Sequence, residues 1–170
     1  DVHSFPTRRS SDLEKNIRYK EVTDISEIQQ MELGIMEYIH EVCHKIGVKY
    51  FLSYGSLIGA VRHKGFIPWD DDMDICMLRD DYEKLQDYMI AHPDERYELM
   101  SYKNNVNYVY PFMKVQDNHT YLVEEDVRID SDMGIYVDIF PVDGYEDDQA
   151  FKDKMTKIIK KRQLSCYTFK

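Results

Sequence analysis

Along residues 24–46 the apolar positions Ile28, Met31, Ile35, Ile39, Val42 and Ile46 recur near three- and four-residue steps, the period of a helix with one buried face. Asp24 or Ser26 can cap its start, and Gly47 can end it in a left-handed turn. "KYFLSY" (49–54) is short and aromatic and predicts a strand. "GSLIGAVRHKG" (55–65) carries a glycine at each end with helix formers between, which predicts a turn opening a short helix. "DMDICML" (72–78) reads as a strand. "RDDYEKLQDYMIAH" (79–92) reads as a helix with Tyr82, Leu85, Tyr88 and Met89 on one face, stopped by Pro93. Strands are predicted at about 96–102, 107–116, 119–124 and 134–140, the last ended by Pro141. A final helix is expected over about 147–165. This order predicts an α+β fold: a mixed, partly antiparallel sheet flanked by helices, in one domain.

The two ends fit the pattern least. Residues 1–13 show no periodicity, and "SFPTRRSSDL" resembles a translated sequencing adapter, so a non-native tail is expected there. At the other end, Leu164, Tyr167 and Phe169 would lack an apolar partner. The domain is therefore expected to occupy residues 14–170 and to be incomplete at its C-terminus.

Composition narrows the class. Hydrophobic residues are 43% and charged residues 32%, too apolar for a disordered chain. No apolar run approaches the ~20 residues of a membrane-spanning helix, and no leader segment is visible. The three cysteines, Cys43, Cys76 and Cys166, are odd in number and far apart, which fits neither a disulfide framework nor a zinc site. A reducing, cytoplasmic setting is expected. The net charge of −10 argues against generic binding to nucleic acid or anionic membrane. An anionic substrate would need a divalent cation between it and this chain.

One stretch invites that cation. "GFIPWDDDMDI" places Asp70, Asp71, Asp72 and Asp74 among apolar neighbours, although like charges so close repel. Side chains alternate faces along a strand, so Asp72 and Asp74 would point one way and Met73 and Ile75 the other, into the core. Two carboxylates at that spacing suit Mg2+, which completes its shell with water and substrate phosphates. A solvated strand edge bearing surface acids is the competing reading. A calcium loop starting at Asp70 fails, because Ile75 stands where glycine is needed and Asp81 where glutamate is needed. Upstream, Gly55 and Ser56 open a helix and offer amides and a hydroxyl to a phosphate, or form a plain strand-to-helix turn. Arg62, His63 and Lys64 add positive charge, or merely complement the helix dipole.

"YGSLIGAVRHKGFIPWDDDMDI" resembles the signature of the LicD family of phosphocholine transferases, with fukutin and its relatives, in the nucleotidyltransferase superfamily. The likeness runs over about residues 25–165 and is most specific across 54–75. It implies a nucleotidyltransferase-like mixed sheet. It assigns Gly55 and Ser56 to the phosphate turn and Asp72 and Asp74 to the metal pair. From "GIYVDIFPVDG" it takes Asp138 as the third acid, ahead of Asp143 or Asp132, and from "PFMKVQDNHTYL" it takes Lys114 as a phosphate contact. The implied activity is transfer of a phospho-group, such as phosphocholine, from a CDP-linked donor to a hydroxyl of a cell-surface glycan. Two Mg2+ ions, or Mn2+, would sit on Asp72, Asp74 and Asp138. Arg62 and Lys64 would offset transition-state charge. Nucleotidyl transfer and an inactive fragment remain as alternatives. No nucleic-acid partner is expected, and the chain would work in the cytoplasm at the inner face of the membrane as a peripheral protein. Asp138→Ala is expected to cut turnover by several orders of magnitude and to leave the cation-free protein more stable.

Overall fold

The structure, a computed structural model, describes residues 22–106, 108, 110–122, 133–144 and 148–168. The expected tail at 1–13 lies outside them, as do 123–124 of an expected strand and Asp132.

Helix α1 spans Ile25–Ile46 and starts as its sequence suggests: the Asp24 carboxylate accepts from the Ser26 N–H, and Gly47 closes the helix at φ 68°. The short strand β1 is only Phe51–Leu52. It leads into α2, Tyr54–Arg62, and then through an irregular loop to β2, Asp74–Leu78. Helix α3 follows at once, Arg79–Ala91, then β3 at Tyr97–Met100 and β4 at Met113–Asp117. β5 runs Tyr136–Val142, and α4 runs Gln149–Thr168.

The five strands form one sheet in the order β1-β2-β5-β4-β3. β2 and β5 are parallel; the other neighbours are antiparallel. Helices α1 and α3 cover one face. Ile35 and Ile39 from α1, and Tyr82, Leu85 and Met89 from α3, pack onto Ile75, Met77, Val115, Val137 and Ile139. Each such buried side chain contributes about 2 kcal/mol of hydrophobic stabilisation. β5 alternates as a strand with one covered face should: Val137 and Ile139 are buried, whereas Tyr136, Asp138 and Phe140 are half-exposed. The fold is α+β, as expected.

Several boundaries differ from the sequence reading. Pro141 does not end β5; it lies inside the strand, opposite Met77. β4 stops pairing at Ile139, so Pro141 has only β2 beside it and its missing N–H breaks no ladder on the other side. β4 starts at Met113; of the strand expected from 107, residues 108 and 110–112 form none, with Tyr110 and Phe112 in a row of rings that leads to Phe140, and 107 and 109 lie outside the described residues. Residues 119–122 form no strand. The Asp117 carboxylate accepts from the His119 N–H, and its carbonyl accepts from the Thr120 N–H and hydroxyl, so the chain turns there. β2 begins at Asp74, which leaves Asp72 in the preceding loop and not on a strand face.

Candidate active site

Three adjacent strands bring the charged groups together. Asp74 of β2 is opposite Asp138 of β5, and Lys114 of β4 is opposite Asp138 from the other side. Residues directly opposed across a sheet share a face, so Asp74, Asp138 and Lys114 form one row. This is the face away from the α1/α3 layer, because Val137 and Ile139 occupy that layer. Lys114 Nζ donates to Asp138 Oδ1 at 2.6 Å, and Lys114 is only 2% exposed. Its ammonium also sits 3.4 Å from the ring centre of Tyr136 and 4.7 Å from that of Tyr110.

This pairing corrects the stability expected for Asp138→Ala. Truncation strips the carboxylate from a buried ammonium, and breaking one side of a buried pair costs about 3 kcal/mol. Urea unfolding in EDTA should show that loss; an unchanged or raised midpoint would mean that the pair carries no stability.

Asp74 is fixed from the backbone. Its N–H donates to Ser56 Oγ at 2.8 Å, and its carbonyl accepts from the Ser53 N–H at 3.1 Å. Ser56 thus ties the start of α2 to the start of β2. The hydroxyl accepts in that bond and keeps its own proton to donate. Just ahead, Tyr54 adopts φ 46°, a conformation costly for a bulky residue, with its ring edge-on to Phe140 at 5.4 Å.

The acidic run is strongly self-repelling. Burial, then the charges of Asp72, Asp138 and Asp70, push the Asp74 carboxyl up to about 6, against a smaller opposing pull from Lys114. The Asp72 carboxyl is also raised, by burial, by the charge of Asp70 and by a hydrogen bond with that carboxyl. The charged forms of two carboxyls in such contact disfavour each other, and a cation between them would remove that penalty. Asp70 in turn sits on the turn glycine: a Cβ at Gly55 would lie 2.5 Å from Asp70 Oδ2. A carboxylate therefore lies at the start of α2, where amides favour negative charge.

Gly59, one turn further along α2, has loop backbone pressed against it. A Cβ there would meet the Gly65 carbonyl oxygen at 2.6 Å and the Ile67 nitrogen at 3.0 Å. Gly59→Ala is therefore expected to push the acidic loop off α2 and to cost about 2 kcal/mol, read as a lower thermal midpoint. An unchanged midpoint would mean that the loop gives way freely.

Not every candidate lies in the row. Arg62 is exposed at the far end of α2, about 10 Å along its axis from Gly55, and Lys64 is exposed in the loop just past that end. The Lys64 ammonium donates to the Val61 carbonyl. Asp143 lies apart from the acidic run, held in a two-pronged pair with Arg79 that lowers its carboxyl below the ordinary range.

Glu32 of α1 escaped the sequence reading. It is 2% exposed, and its Oε2 has no hydrogen-bond partner. Burial, then the charges of Asp72, Asp71, Asp70 and Asp74, push its carboxyl up to about 9. The signal was present: an acid stands between Ile28 and Ile35 on the apolar face of a helix.

Among the described residues, no three carboxylate, imidazole or thiol groups converge into a ready-made ion cage. The donor chemistry nevertheless suits a hard cation. The carboxyl oxygens of exposed Asp72 and half-buried Asp74 crowd together at raised proton affinity, and a divalent ion would relieve that repulsion. Asp72 and Asp74 are available in this sense, whereas Asp138 is already bonded to Lys114.

Residues 47–168 match the profile of the LicD/FKTN/FKRP nucleotidyltransferase domain, and the chain belongs to this family. It is 36% identical over 121 residues to the lipopolysaccharide cholinephosphotransferase LicD of Haemophilus influenzae, covering 71% of this chain and 44% of that protein. It is 31% identical to an uncharacterised Rickettsia typhi protein over 134 residues, covering 78% of this chain and 41% of that one. A shorter stretch of 44 residues is 46% identical to human ribitol 5-phosphate transferase FKRP, covering 26% of this chain and 9% of that protein. The chain thus spans less than half the length of these relatives. Among the described residues, no helix is long and apolar enough to cross a membrane.

Proposed function

We propose that this chain carries the catalytic centre of a cation-dependent phosphotransferase, which moves a phospho-group such as phosphocholine from a CDP-linked donor to a glycan hydroxyl. The observation that carries the reading is the row Asp74–Asp138–Lys114 beside the Gly55–Ser56 turn, in a chain similar to a cholinephosphotransferase. Asp72 and Asp74 would hold Mg2+ or Mn2+, two ions in all, with Asp138 as the third acid. The cations would neutralise the donor diphosphate and the charge that develops as CMP leaves.

The remaining work falls to the chain. The Ser56 hydroxyl and the first amides of α2 bind a phosphate oxygen, on the side of the turn that the absent Gly55 side chain leaves close to Asp70. Asp138 accepts the proton of the attacking hydroxyl, and Lys114 steadies that carboxylate and offsets charge on the transferred group. Arg62 and Lys64, out at the far end of α2, contact the more distant part of an extended donor or acceptor. Positioning and charge neutralisation then supply most of the catalysis. The setting proposed is the inner face of the cytoplasmic membrane, with peripheral attachment.

Incubation with CDP-choline, Mg2+ and a glycan acceptor should release CMP. Pyrophosphate released from a nucleoside triphosphate instead would make the chain a nucleotidyltransferase. Neither product would reject both.

A further inference from the structure

Helix α1 precedes the segment that matches the family profile, which begins at residue 47, yet it reaches the acidic loop. Residues 67–70 form a tight turn closed by the Asp70 N–H donating to the Ile67 carbonyl at 3.0 Å. Gln29 grips both ends of this turn. Its Nε2 donates to the Ile67 carbonyl at 3.1 Å and to the Asp70 carbonyl at 2.8 Å. These bonds span about forty positions of sequence, in a loop that has no sheet or helix of its own to hold it. The turn delivers Asp70 onto Gly55, and two residues later the chain supplies Asp72. On the same face of α1, Glu32 lies within electrostatic reach of Asp72 with a buried, unpartnered oxygen. The helix therefore contacts the acidic loop through Gln29, and one turn on Glu32 feels the loop's charge.

We propose that Gln29 is a positioning residue for the acidic site, fixing the turn at residues 67–70 so that Asp72 is held in register with Asp74. It touches no substrate; it acts through the loop backbone. The inference rests on the reading of this site as a cation-dependent phosphotransferase.

Gln29→Met keeps the length of the side chain and its helix preference but removes both donors. Mn2+ uptake by the intact chain, measured by calorimetry, should weaken about tenfold, the lower end of what loss of a supporting hydrogen bond costs a metal site. The Mg2+ concentration for half-maximal CMP release should rise in parallel, while kcat at saturating Mg2+ stays near the wild-type value. Gln29→Ala should behave alike without filling the space. A merely structural glutamine would lower the thermal midpoint and leave Mn2+ affinity unaltered, which overturns the inference alone. Wild-type protein that takes up no Mn2+ overturns the reading of the site, and the inference with it.

Discussion

Asp72→Asn and Asp74→Asn should each cut CMP release from CDP-choline by several orders of magnitude at saturating Mg2+, with the fold retained. Each substitution keeps the side-chain volume and removes one negative charge from the proposed cation pair. The sign of the stability change is the more telling half. Burial and neighbouring acids hold both carboxyls above their ordinary range, so each charge works against the folded state at neutral pH. Without cation, Asp74→Asn should therefore raise stability by about 1 kcal/mol, allowing for the half-exposed position of the group. With Mg2+ present, wild type should gain stability on cation binding and the variants should not. Denaturant midpoints in EDTA and in Mg2+, beside a turnover assay, read all of this. Near-normal turnover by either variant would remove that residue from the site.

Glu32 gives the second large effect, in the dependence of stability on pH. Its carboxyl is held up to about 9 in the folded chain, against 4.5 for an unhindered glutamate. Below 4.5 it is protonated in both states and costs nothing. Between 4.5 and 9 the unfolded chain gives up a proton that the folded chain retains, so stability falls as pH rises. At pH 7 the deficit from this group is about 3 kcal/mol. Asp74, held up to about 6, adds to the same trend over its own narrower window. Cation-free wild-type protein should thus be markedly more stable at pH 5 than at pH 8. Glu32→Gln should flatten that slope, matching wild type near pH 5 and exceeding it at pH 8. Urea titrations across this range provide the test; parallel curves for the two proteins would refute the burial assigned to Glu32.

Features legible in the sequence were those that depend on local period. The 3.6-residue spacing gave α1 with its Asp24 start and Gly47 stop, and a strand was legible at 134–140, where β5 forms. Gly55, Ser56, Asp72 and Asp74 were visible because charges and glycines stood where an ordinary core would have apolar residues. What stayed hidden depended on partners distant in the chain. Only the β4–β5 register sets Lys114 against Asp138, and only the packing of α1 against the loop shows Gln29 at the turn and Glu32 within electrostatic reach of Asp72. The strand expected at 119–124 failed over 119–122 because Asp117 and Thr120 satisfy backbone groups locally, a competition that β-propensity does not register. Pro141 misled in the opposite sense: a proline interrupts a sheet only where a paired neighbour lies on the side of its missing N–H, and β4 no longer pairs there.

The parallel pairing of β2 with β5 also governs when the site comes into being. Asp74 and Asp138 are neighbours in the sheet but more than sixty positions apart in the chain, and β3 and β4 lie between them in sequence. Closing so long a loop is slow compared with forming α1 or the β3–β4 hairpin, whose contacts are local. On this ordering, the acids of the loop and β2 would form before Asp138 and Lys114 come beside them. A cation at the proposed site would then meet only the loop and β2, and would acquire the rest of its surroundings when β5 docks. Refolding followed in Mg2+ and in EDTA should consequently differ most in its slowest phase, the one in which β5 joins β2.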